Sequence, residues 1–523
     1  MAAYNMFSVA YFLLFVAFTV VTADHVNEFL SRDCTADDHG HIPCGRIVSL
    51  SQSQVTRDVY ITLENGIYEL DGSLRPNTFV FTSESGKNQQ NDLMVVTTEN
   101  IVLCKNDFEG SCELRDLKSL DVIKGVKQVE VVNTKHGGFS LGWVAKGPDE
   151  HDVLNIALSN KDKDSSAPIL STRKLVTNKT SSSWDFLSIL KNEFSVPASQ
   201  FLNDRQHSVR IDPIIGFSHG NYNFIVKRQT DTRGDSEAKL IRLCRRDINY
   251  RSYIELPLRC RNDMGEIFKN VTSAFYSSDI LFISFYEDLS YMDDNSVICL
   301  YNLTTLNNRF YQRRKECLLG QSKTTEIDWY QRIPCPTEPV PPNVFNISYL
   351  DDPNFCYELD TAHPLGGNDP ITEDAIFSVE AKVNALVVGV FEGDMIYFLG
   401  DSNGNIIKMR AKGGIWEKET LSIEEGSPIL SPNGFILDVD GEWMYAMTHK
   451  KATRVRVDFT PATTPPSLSS MDPSEDATNQ PPAVEPLIIY IICGSAAVAI
   501  IIIVVILAFS IKFGLKKYNM SVG

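Results

Sequence analysis

The feature of this sequence that most constrains its fold is a series of short β-rich runs separated by tight-turn residues. Residues 58–71, DVYITLENGIYELD, are two such runs around Asn65-Gly66, the strongest short hairpin signal. The arrangement returns at residues 386–409 and 434–448, around Glu-Gly-Asp, Asn-Gly and Asp-Gly turns. Hairpins that recur over about 430 residues predict an all-β fold, either a propeller or several sandwiches.

Helical periodicity is rare by comparison. The best helix candidate is residues 182–193, SSWDFLSILKNE, with Ser182 or Ser183 available as an N-cap. No repeat of blade length is visible in the sequence. Periodicity alone therefore does not choose between a propeller and several sandwiches.

Two apolar segments bracket the chain. Residues 7–21 are apolar and lead into Val21-Thr22-Ala23, which predicts a secretion signal over residues 1–23. An uncleaved anchor is the alternative, because no Lys or Arg precedes the apolar run. Residues 487–511 carry no charge, and about 20 apolar residues suffice for a helix to cross a bilayer, so this segment is predicted to span a membrane.

The charges around the predicted span set its orientation. Lys512, Lys516 and Lys517 follow it, whereas the residues before it are acidic. Because lysines stay on the cytoplasmic side, we expect a single-pass type I protein of the plasma membrane, with an extracellular ectodomain and a short tail at 512–523. Ser495 and Ala499, a small-xxx-small pair inside the span, offer a face for a homodimer.

The ectodomain also carries the marks of an oxidising compartment. An even number of cysteines in a secreted chain implies disulfides. The ectodomain cysteines are Cys34, Cys44, Cys104, Cys112, Cys244, Cys260, Cys299, Cys317, Cys335 and Cys356. Spacing alone favours only two pairs, Cys34 with Cys44 and Cys104 with Cys112. The net charge of −17 argues against nucleic acid as a partner.

N-glycosylation sequons mark positions that are expected to be exposed in a secreted chain. Four lie in the ectodomain, at Asn178, Asn270, Asn302 and Asn346. Asn519 also matches the motif, but it is expected on the cytoplasmic side and should stay unmodified.

Three runs, taken in order, resemble one known family. Residues 243–260, LCRRDINYRSYIELPLRC, resemble the blade-4 run of the plexin sema domain. Residues 354–367, NFCYELDTAHPLGG, and 167–175, APILSTRKL, resemble two other plexin segments. The resemblance implies a seven-bladed sema β-propeller over residues 24–459, in which the N-terminal strand completes the last blade and removes free sheet edges.

The same resemblance implies a disulfide pairing. Plexin cysteines of similar order pair first with last, second with third and fourth with fifth. Carried to this chain, the pattern implies Cys244–Cys356, Cys260–Cys299 and Cys317–Cys335.

The resemblance departs from plexins after the propeller. Plexins continue with PSI and IPT modules and, beyond the membrane, a GTPase-activating domain. Here residues 460–486 are a Pro/Ser/Thr-rich extracellular linker, expected to be disordered, that leads to the predicted span. Semaphorins share the fold, but their PSI and Ig modules have no counterpart in this sequence.

Two motifs could indicate chemistry. Residues 216–220, GFSHG, match the G-x-S-x-G nucleophile elbow, which needs a strand–turn–helix corner. The flanking residues predict strand–turn–strand instead, so no catalytic residue is assigned and the protein is not expected to be an enzyme. Cys34 and Cys44, with His39 and His41 between them, could hold zinc, but a disulfide is favoured in an oxidising compartment, and no metal or cofactor is expected.

A local basic cluster offers the candidate contact residues. Arg242, Arg245, Arg246 and Arg251 lie close together in an acidic protein. They form either a solvated or ion-paired strand face or a contact patch for an acidic partner or glycan. Arg245, Arg246 and Arg251 are the tentative partner-binding residues.

The similarity to plexins implies a function in binding. The expected partner is a semaphorin or semaphorin-like sema domain that contacts the edge of blades 3 and 4, near residues 150–260. The chain would act as a receptor or decoy, or as a co-receptor beside a protein that supplies the intracellular signal. The alternative is a membrane-tethered ligand or adhesion protein that binds plexins or other sema propellers.

Overall fold

A computed structural model describes the chain between residues 28 and 458, with gaps. The described residues are 28–31, 45–82, 90–106, 110–127, 132, 140–148, 150–159, 169–175, 186–190, 209–247, 250, 252–287, 295–321, 335–341, 356, 365–431 and 434–458. The chain divides into two units, Met1–Ala462 and Thr463–Gly523, and every described residue lies in the first. Within the described ranges, no helix has the length and apolar character needed to cross a membrane. The predicted signal, linker and span, at residues 1–23, 460–486 and 487–511, lie outside them.

The described residues are mainly β-strands. The strands in the first half are β1 Glu28–Leu30, β2 Ile47–Gln52, β3 Val59–Leu63, β4 Gly66–Leu70, β5 Pro76–Phe81, β6 Gln90–Val96, β7 Asn100–Asn106, β8 Ser111–Asp116, β9 Val122–Lys127, β10 Ser140–Lys146, β11 Asp152–Leu158, β12 Leu170–Lys174, β13 Val209–His219, β14 Tyr222–Asp231 and β15 Ser236–Cys244. The remaining elements are β16 Ile254–Arg261, β17 Ile267–Phe268, β18 Val271–Ser277, β19 Ile280–Glu287, β20 Asn295–Asn302, helix α1 Leu303–Leu318, β21 Leu365–Gly366, β22 Ile371–Val379, β23 Val383–Phe391, β24 Asp394–Asp401, β25 Asn405–Lys412, β26 Ile415–Ser422, β27 Phe435–Leu437, β28 Trp443–Met447 and β29 Lys451–Arg456.

The described strands form seven antiparallel blades. Blades 1, 2 and 3 are β2–β5, β6–β9 and β10–β12, and blade 4 is β13–β16. Blade 5 is β18, β19, β20 and β22, and blade 6 is β23–β26. Blade 7 combines β27, β28 and β29 with β1 from the start of the chain. Each of the inner strands β2, β6, β10, β13, β18, β23 and β27 contacts the next, and β27 contacts β2, so the blades form a closed ring.

The N-terminal strand closes this ring. Phe29 of β1 pairs with Ala452 of β29 in an antiparallel register. The expectation that the N-terminal strand completes the last blade is confirmed. The closure joins the two ends of the propeller by backbone hydrogen bonds, which removes the edge that β29 would otherwise present.

The core is divided among the blade interfaces. Side chains alternate between the two faces of a strand, so each blade contributes to two neighbouring cores. In β24, Tyr397 and Leu399 pack toward blade 5, whereas Ile396 and Phe398 pack toward blade 7. This alternation explains why the blade strands are apolar on both faces, although each belongs to an antiparallel sheet.

Blades 4 and 5 share a strand in addition to packing against each other. Strand β22 pairs in parallel with β16 of blade 4 through residues such as Ile371, and antiparallel with β20 of blade 5 through Phe377. The connection from β20 to β22 carries α1, which packs against the blade 4–5 core through Leu306 and Phe310. The helix therefore lies over the outer part of the blade that holds the basic cluster.

The structure confirms the hairpins predicted from the sequence but not the helix predicted at 182–193. The runs around Asn65-Gly66, at 386–409 and at 434–448 form the predicted hairpins. The helix predicted at 182–193 is wrong where the structure describes it: Leu187 has a φ of 59° and Ile189 forms a β-bridge. Phe186 and Leu187 are buried in the core of blades 2 and 3, so tertiary burial outweighs their helical spacing.

Candidate protein-binding surface

Two turns at the same end of blades 3 and 4 carry the exposed part of the basic cluster. In a four-stranded antiparallel blade, the turn between strands one and two lies at the same end as the turn between strands three and four. Arg246 follows β15 of blade 4, and Glu150 precedes β11 of blade 3. The Arg246 guanidinium donates to the Glu150 carboxylate at 2.9 Å. Both side chains are mainly exposed, 68% and 58%.

The hairpin between β13 and β14 reaches the same end of blade 4. The backbone N–H of Arg245 donates to the carbonyl of Asn221 at 2.9 Å. We call the face formed by Glu150, Asn221, Arg245 and Arg246 the blade 3–4 turn surface. Arg251, the third predicted contact residue, lies outside the described residues.

The electrostatics of this surface distinguish the two described arginines. The hydrogen bond from Arg246 lowers the pKa of Glu150 below its ordinary value, which keeps that carboxylate ionised. Arg245 is half-buried, and its Nε is buried and makes no hydrogen bond within the described part of the chain. Arg245 thus has a fixed backbone and a partly exposed side chain, and its buried Nε is not accessible to a partner.

Arg242, although adjacent in sequence, does not belong to this surface. Its guanidinium carbon lies 4.3 Å from the ring centroid of Tyr222 and 5.0 Å from that of Phe310. Its Nη1 donates to the carbonyl and side-chain oxygens of Asn307 in α1, at 3.3 and 3.2 Å. Burial lowers the pKa of Arg242 to about 10, so it stays charged at neutral pH. Arg242 fixes α1 to blade 4 and is unavailable to a partner.

Residues 243–260, which resemble the blade-4 run of the plexin sema domain, have a mainly structural role. Asp247, which is buried, accepts hydrogen bonds from the backbone N–H and the hydroxyl of Ser252, both at 2.5 Å. The Ser252 hydroxyl accepts a third, from the backbone N–H of Cys244 at 2.9 Å. These bonds tie the two ends of the turn together and hold Arg245 and Arg246 at its exposed side.

Further along the run, a buried carboxylate organises blade 4. Glu255 is fully buried, 2.7 Å from the ammonium of Lys227 and 3.2 Å from that of Lys239. Tyr253 donates its hydroxyl proton to the same carboxylate at 2.5 Å. Burial alone would raise the pKa of Glu255, but the two ammonium groups outweigh it and bring the pKa down to about 2. This network crosses three strands of blade 4 and is structural.

The G-x-S-x-G match has a structural explanation as well. Gly216 lies in β13, where an added Cβ would stand 2.3 Å from the Trp143 ring of blade 3. Ser218 lies in the same strand and donates to the side chain of Asn223 in β14 at 2.6 Å. The segment is a strand–turn–strand hairpin, as the flanking residues predict. Its glycine allows close contact between blades, and its serine bonds across the hairpin.

Disulfides reinforce the region around blades 4 and 5. The described residues contain Cys104–Cys112, Cys244–Cys356, Cys260–Cys299 and Cys317–Cys335. The last three are the pairs that the plexin resemblance implies. Cys260–Cys299 joins β16 of blade 4 to β20 of blade 5, beside the shared strand β22. The Cys34 and Cys44 pair lies outside the described residues, as do His39 and His41.

The sequons differ in their surroundings. Asn302 is exposed at the start of α1, whereas Asn270 is half-buried and its side-chain oxygen has no hydrogen bond among the described residues. Asn178, Asn346 and Asn519 lie outside the described residues. The expectation of an exposed position is therefore met at Asn302 and only in part at Asn270.

The structure contains a contact between blades 4 and 5 that the sequence did not predict. His219 Nδ1 lies 2.9 Å from the Tyr276 hydroxyl and 3.2 Å from the Asp279 carboxylate. These residues come from turns almost 60 positions apart, and no local motif indicates them. Helix α1 was also missed, although Asn302 as N-cap and the apolar residues at 303, 306 and 310 are sequence signals that could have predicted it.

Comparisons with known proteins give this architecture a family context. Residues 269–433 match the family described as Sema domain. The chain is 24% identical to human Plexin-A4 over 490 residues, which is 85% of this chain and 25% of that protein. It is 25% identical to human Plexin-A2 over 481 residues, 78% of this chain and 24% of that protein. The chain thus spans about a quarter of the length of these relatives.

Solved structures show the same fold. The full extracellular region of Plexin A4 superposes with a TM-score of 0.67 at 20% identity, covering 79% of this chain and 39% of that one. Drosophila Semaphorin 2a superposes with a TM-score of 0.52 at 10% identity, covering 82% and 76%. At these identities the similarity establishes the shared propeller fold.

Proposed function

This chain carries a plexin-like sema domain, and on that premise we propose that it is a cell-surface receptor or co-receptor that binds a semaphorin-type ligand. The binding is reversible contact between two sema propellers, without catalysis. The blade 3–4 turn surface is the proposed contact. Arg251, which is outside the described residues, is included in this proposed contact because it falls in the same stretch of sequence between β15 and β16.

The observation that carries the proposal is a pair of adjacent arginines, one exposed and one half-buried, at a fixed turn of an acidic protein. Arg246 is mainly exposed, and the half-buried Arg245 is held beside it by the hydrogen bond from its backbone N–H to the carbonyl of Asn221. The chain as a whole has a net charge of −17. A local cationic site on such a background favours one orientation of an acidic partner, because complementary charges steer encounter.

This arrangement predicts how binding responds to salt. At physiological ionic strength the Debye length is about 8 Å, so exposed charges guide a partner only over short distances. Raising the salt concentration should slow association more than it speeds dissociation, since rim charges act mainly on the association rate.

Surface plasmon resonance with the full chain, immobilised in detergent, tests the proposal. Semaphorin and plexin ectodomains from the same source organism are passed over it. Saturable, reversible binding of a semaphorin supports the receptor function. Binding of plexins alone would replace it with the ligand or adhesion function, and binding of neither class would refute the proposed function.

We further propose type I topology, with residues 487–511 as the membrane span and residues 460–486 as the linker. In this topology the machinery that attaches N-glycans reaches Asn178, Asn270, Asn302 and Asn346 but not Asn519. Endoglycosidase treatment of the full chain from cells should increase its gel mobility. An unchanged mobility, or a C-terminal epitope accessible on intact cells, would contradict this topology.

A further inference from the structure

Asn302 occupies two roles at the start of α1. It is the first residue of the sequon Asn302-Leu303-Thr304 and also the N-cap of the helix. Its side-chain oxygen accepts hydrogen bonds from the backbone N–H groups of Thr304 at 2.9 Å and Thr305 at 3.3 Å. A glycan is attached through the amide nitrogen, so glycosylation leaves the capping oxygen in place.

The amide nitrogen is available for this attachment. Asn302 is exposed, and so are Thr304 and Thr305. The hydrogen bonds that the Asn302 side chain makes within the described part of the chain are the two that its oxygen accepts. The cap also holds the side chain in one orientation, which fixes the direction in which a glycan leaves the surface.

Contacts along the chain place this position close to the blade 3–4 turn surface. The backbone N–H of Leu303 donates to the carbonyl of Asp279 at 3.0 Å, and the Asp279 carboxylate contacts His219 at 3.2 Å. His219 begins the same short hairpin whose Asn221 carbonyl accepts the hydrogen bond from Arg245. Asn302 and Arg245 are thus connected through two neighbouring turns, the β18–β19 turn of blade 5 and the β13–β14 turn of blade 4.

The body of α1 supports the same placement. Asn307, in the second turn of the helix, contacts Arg242 of β15, three residues before Arg245. Phe310 packs against Arg242 and against Phe224 of β14. The helix therefore runs beside the strand that leads into the turn surface, and its capped end is on the blade 5 side of it.

From these contacts we infer that the N-glycan on Asn302 borders the blade 3–4 turn surface and restricts access to it from the blade 5 side. An N-glycan is bulky and hydrophilic, so it excludes protein from the space that it occupies. A partner then approaches Arg245 and Arg246 from the side of blade 3, where Glu150 lies. This inference deepens the proposed function and rests on it for the identity of the partner.

Substitutions separate the glycan from the cap. Thr304→Ala removes the sequon and keeps the cap, because the cap uses the backbone N–H of residue 304. Asn302→Asp also removes the glycan and keeps a good N-cap residue. Thr305→Ala is the matched control, since it makes the same change one residue later and leaves both sequon and cap intact.

The first measurement is the rate at which a semaphorin ectodomain associates with each full-length variant. Thr304→Ala and Asn302→Asp should associate several-fold faster than wild type and Thr305→Ala, with unchanged dissociation. Equal association rates in all four proteins overturn the inference while leaving the proposed function intact.

The second measurement needs no natural partner. The rate of trypsin cleavage after Arg245 and Arg246 is measured in the folded full chain. It is divided by the rate of cleavage after Arg233, which lies on the turn at the opposite end of blade 4. This ratio should rise in Thr304→Ala and stay unchanged in Thr305→Ala. An unchanged ratio in Thr304→Ala, or an unmodified Asn302 in wild-type protein, overturns the inference even where no semaphorin binds.

Discussion

Arg246 donates a hydrogen bond to Glu150 at 2.9 Å, although the two residues are 96 positions apart and belong to neighbouring blades. The pair joins two turns at the edge of the propeller where we propose that a partner binds. The exposed Arg246 is therefore already paired with a carboxylate of the same chain. A partner carboxylate must share or replace Glu150 to engage Arg246.

Glu150→Gln should therefore speed association with an acidic partner. The substitution removes the competing charge and leaves Arg246 exposed, so the association rate should rise and its salt dependence should steepen. Asp152→Asn is the control, because Asp152 also forms an exposed ion pair, with Lys146, in the same hairpin. A faster rate in both variants would show a general charge effect and contradict a specific role for Glu150.

Glu255→Gln should destabilise the propeller strongly. The change leaves Lys227 and Lys239 buried beside an uncharged group, and breaking a buried ion pair costs about 3–5 kcal/mol. Glu237→Gln, at a half-exposed pair with Arg259, should cost about 1 kcal/mol or less. Chemical denaturation measures both, and equal effects of the two substitutions would contradict this account of the network.

The same network predicts a pH dependence. The pKa of Glu255 is about 2 in the folded protein and 4.5 ordinarily, so its contribution is complete above pH 4.5 and is lost as the pH falls toward 2. The free energy of unfolding of wild type, followed over this window, should fall more than that of Glu255→Gln. Parallel curves for the two proteins would assign the acid sensitivity to other carboxylates.

Gly216→Ala should weaken the interface between blades 3 and 4. The new Cβ would overlap the Trp143 ring, and overpacking of a filled core costs about 1–3 kcal/mol. Gly125→Ala is the control, because no atom lies within 4 Å of a Cβ at that position. Thermal unfolding should separate the two variants. A stability of Gly216→Ala equal to wild type would mean that the blades can separate without cost.

The disulfide framework can be checked directly by mass mapping of peptides from the unreduced full chain, isolated from cells. Cys244 should be found linked to Cys356, and Cys260 to Cys299. The chain-entropy model assigns about 5 kcal/mol to a loop of 112 residues and about 4 kcal/mol to one of 39. A peptide that joins Cys244 to Cys260 would contradict the pairing.

Local sequence patterns predicted the strands well because hairpin signals are short-range. The turn at Asn65-Gly66 and the runs of blades 6 and 7 depend only on residues beside them. The segment at 186–190 failed for the opposite reason. Its apolar side chains are buried by blades 2 and 3, which local periodicity cannot show.

The candidate surface was only partly predictable. Arg242 and Arg246 look alike in sequence, yet Asn307, 65 residues away, covers the first, and Glu150 pairs with the second. Their different roles come from contacts between distant segments, which spacing does not encode. The plexin resemblance indicated a candidate region because it carries the propeller topology, but it could not separate buried from exposed arginines within that region.

The most direct test of the central claim is a charge reversal at the blade 3–4 turn surface. In full-length protein, Arg245→Glu with Arg246→Glu is compared with Arg233→Glu, whose side chain is 79% exposed at the opposite end of the same blade. Surface plasmon resonance against the semaphorin that binds wild type should show at least about tenfold weaker binding, or about 1.4 kcal/mol, for the double variant only. Cell-surface amounts of both variants are measured alongside, because Arg245 is half-buried and a loss of folding must be separated from a loss of binding. Wild-type affinity in the double variant would remove this surface from the interface.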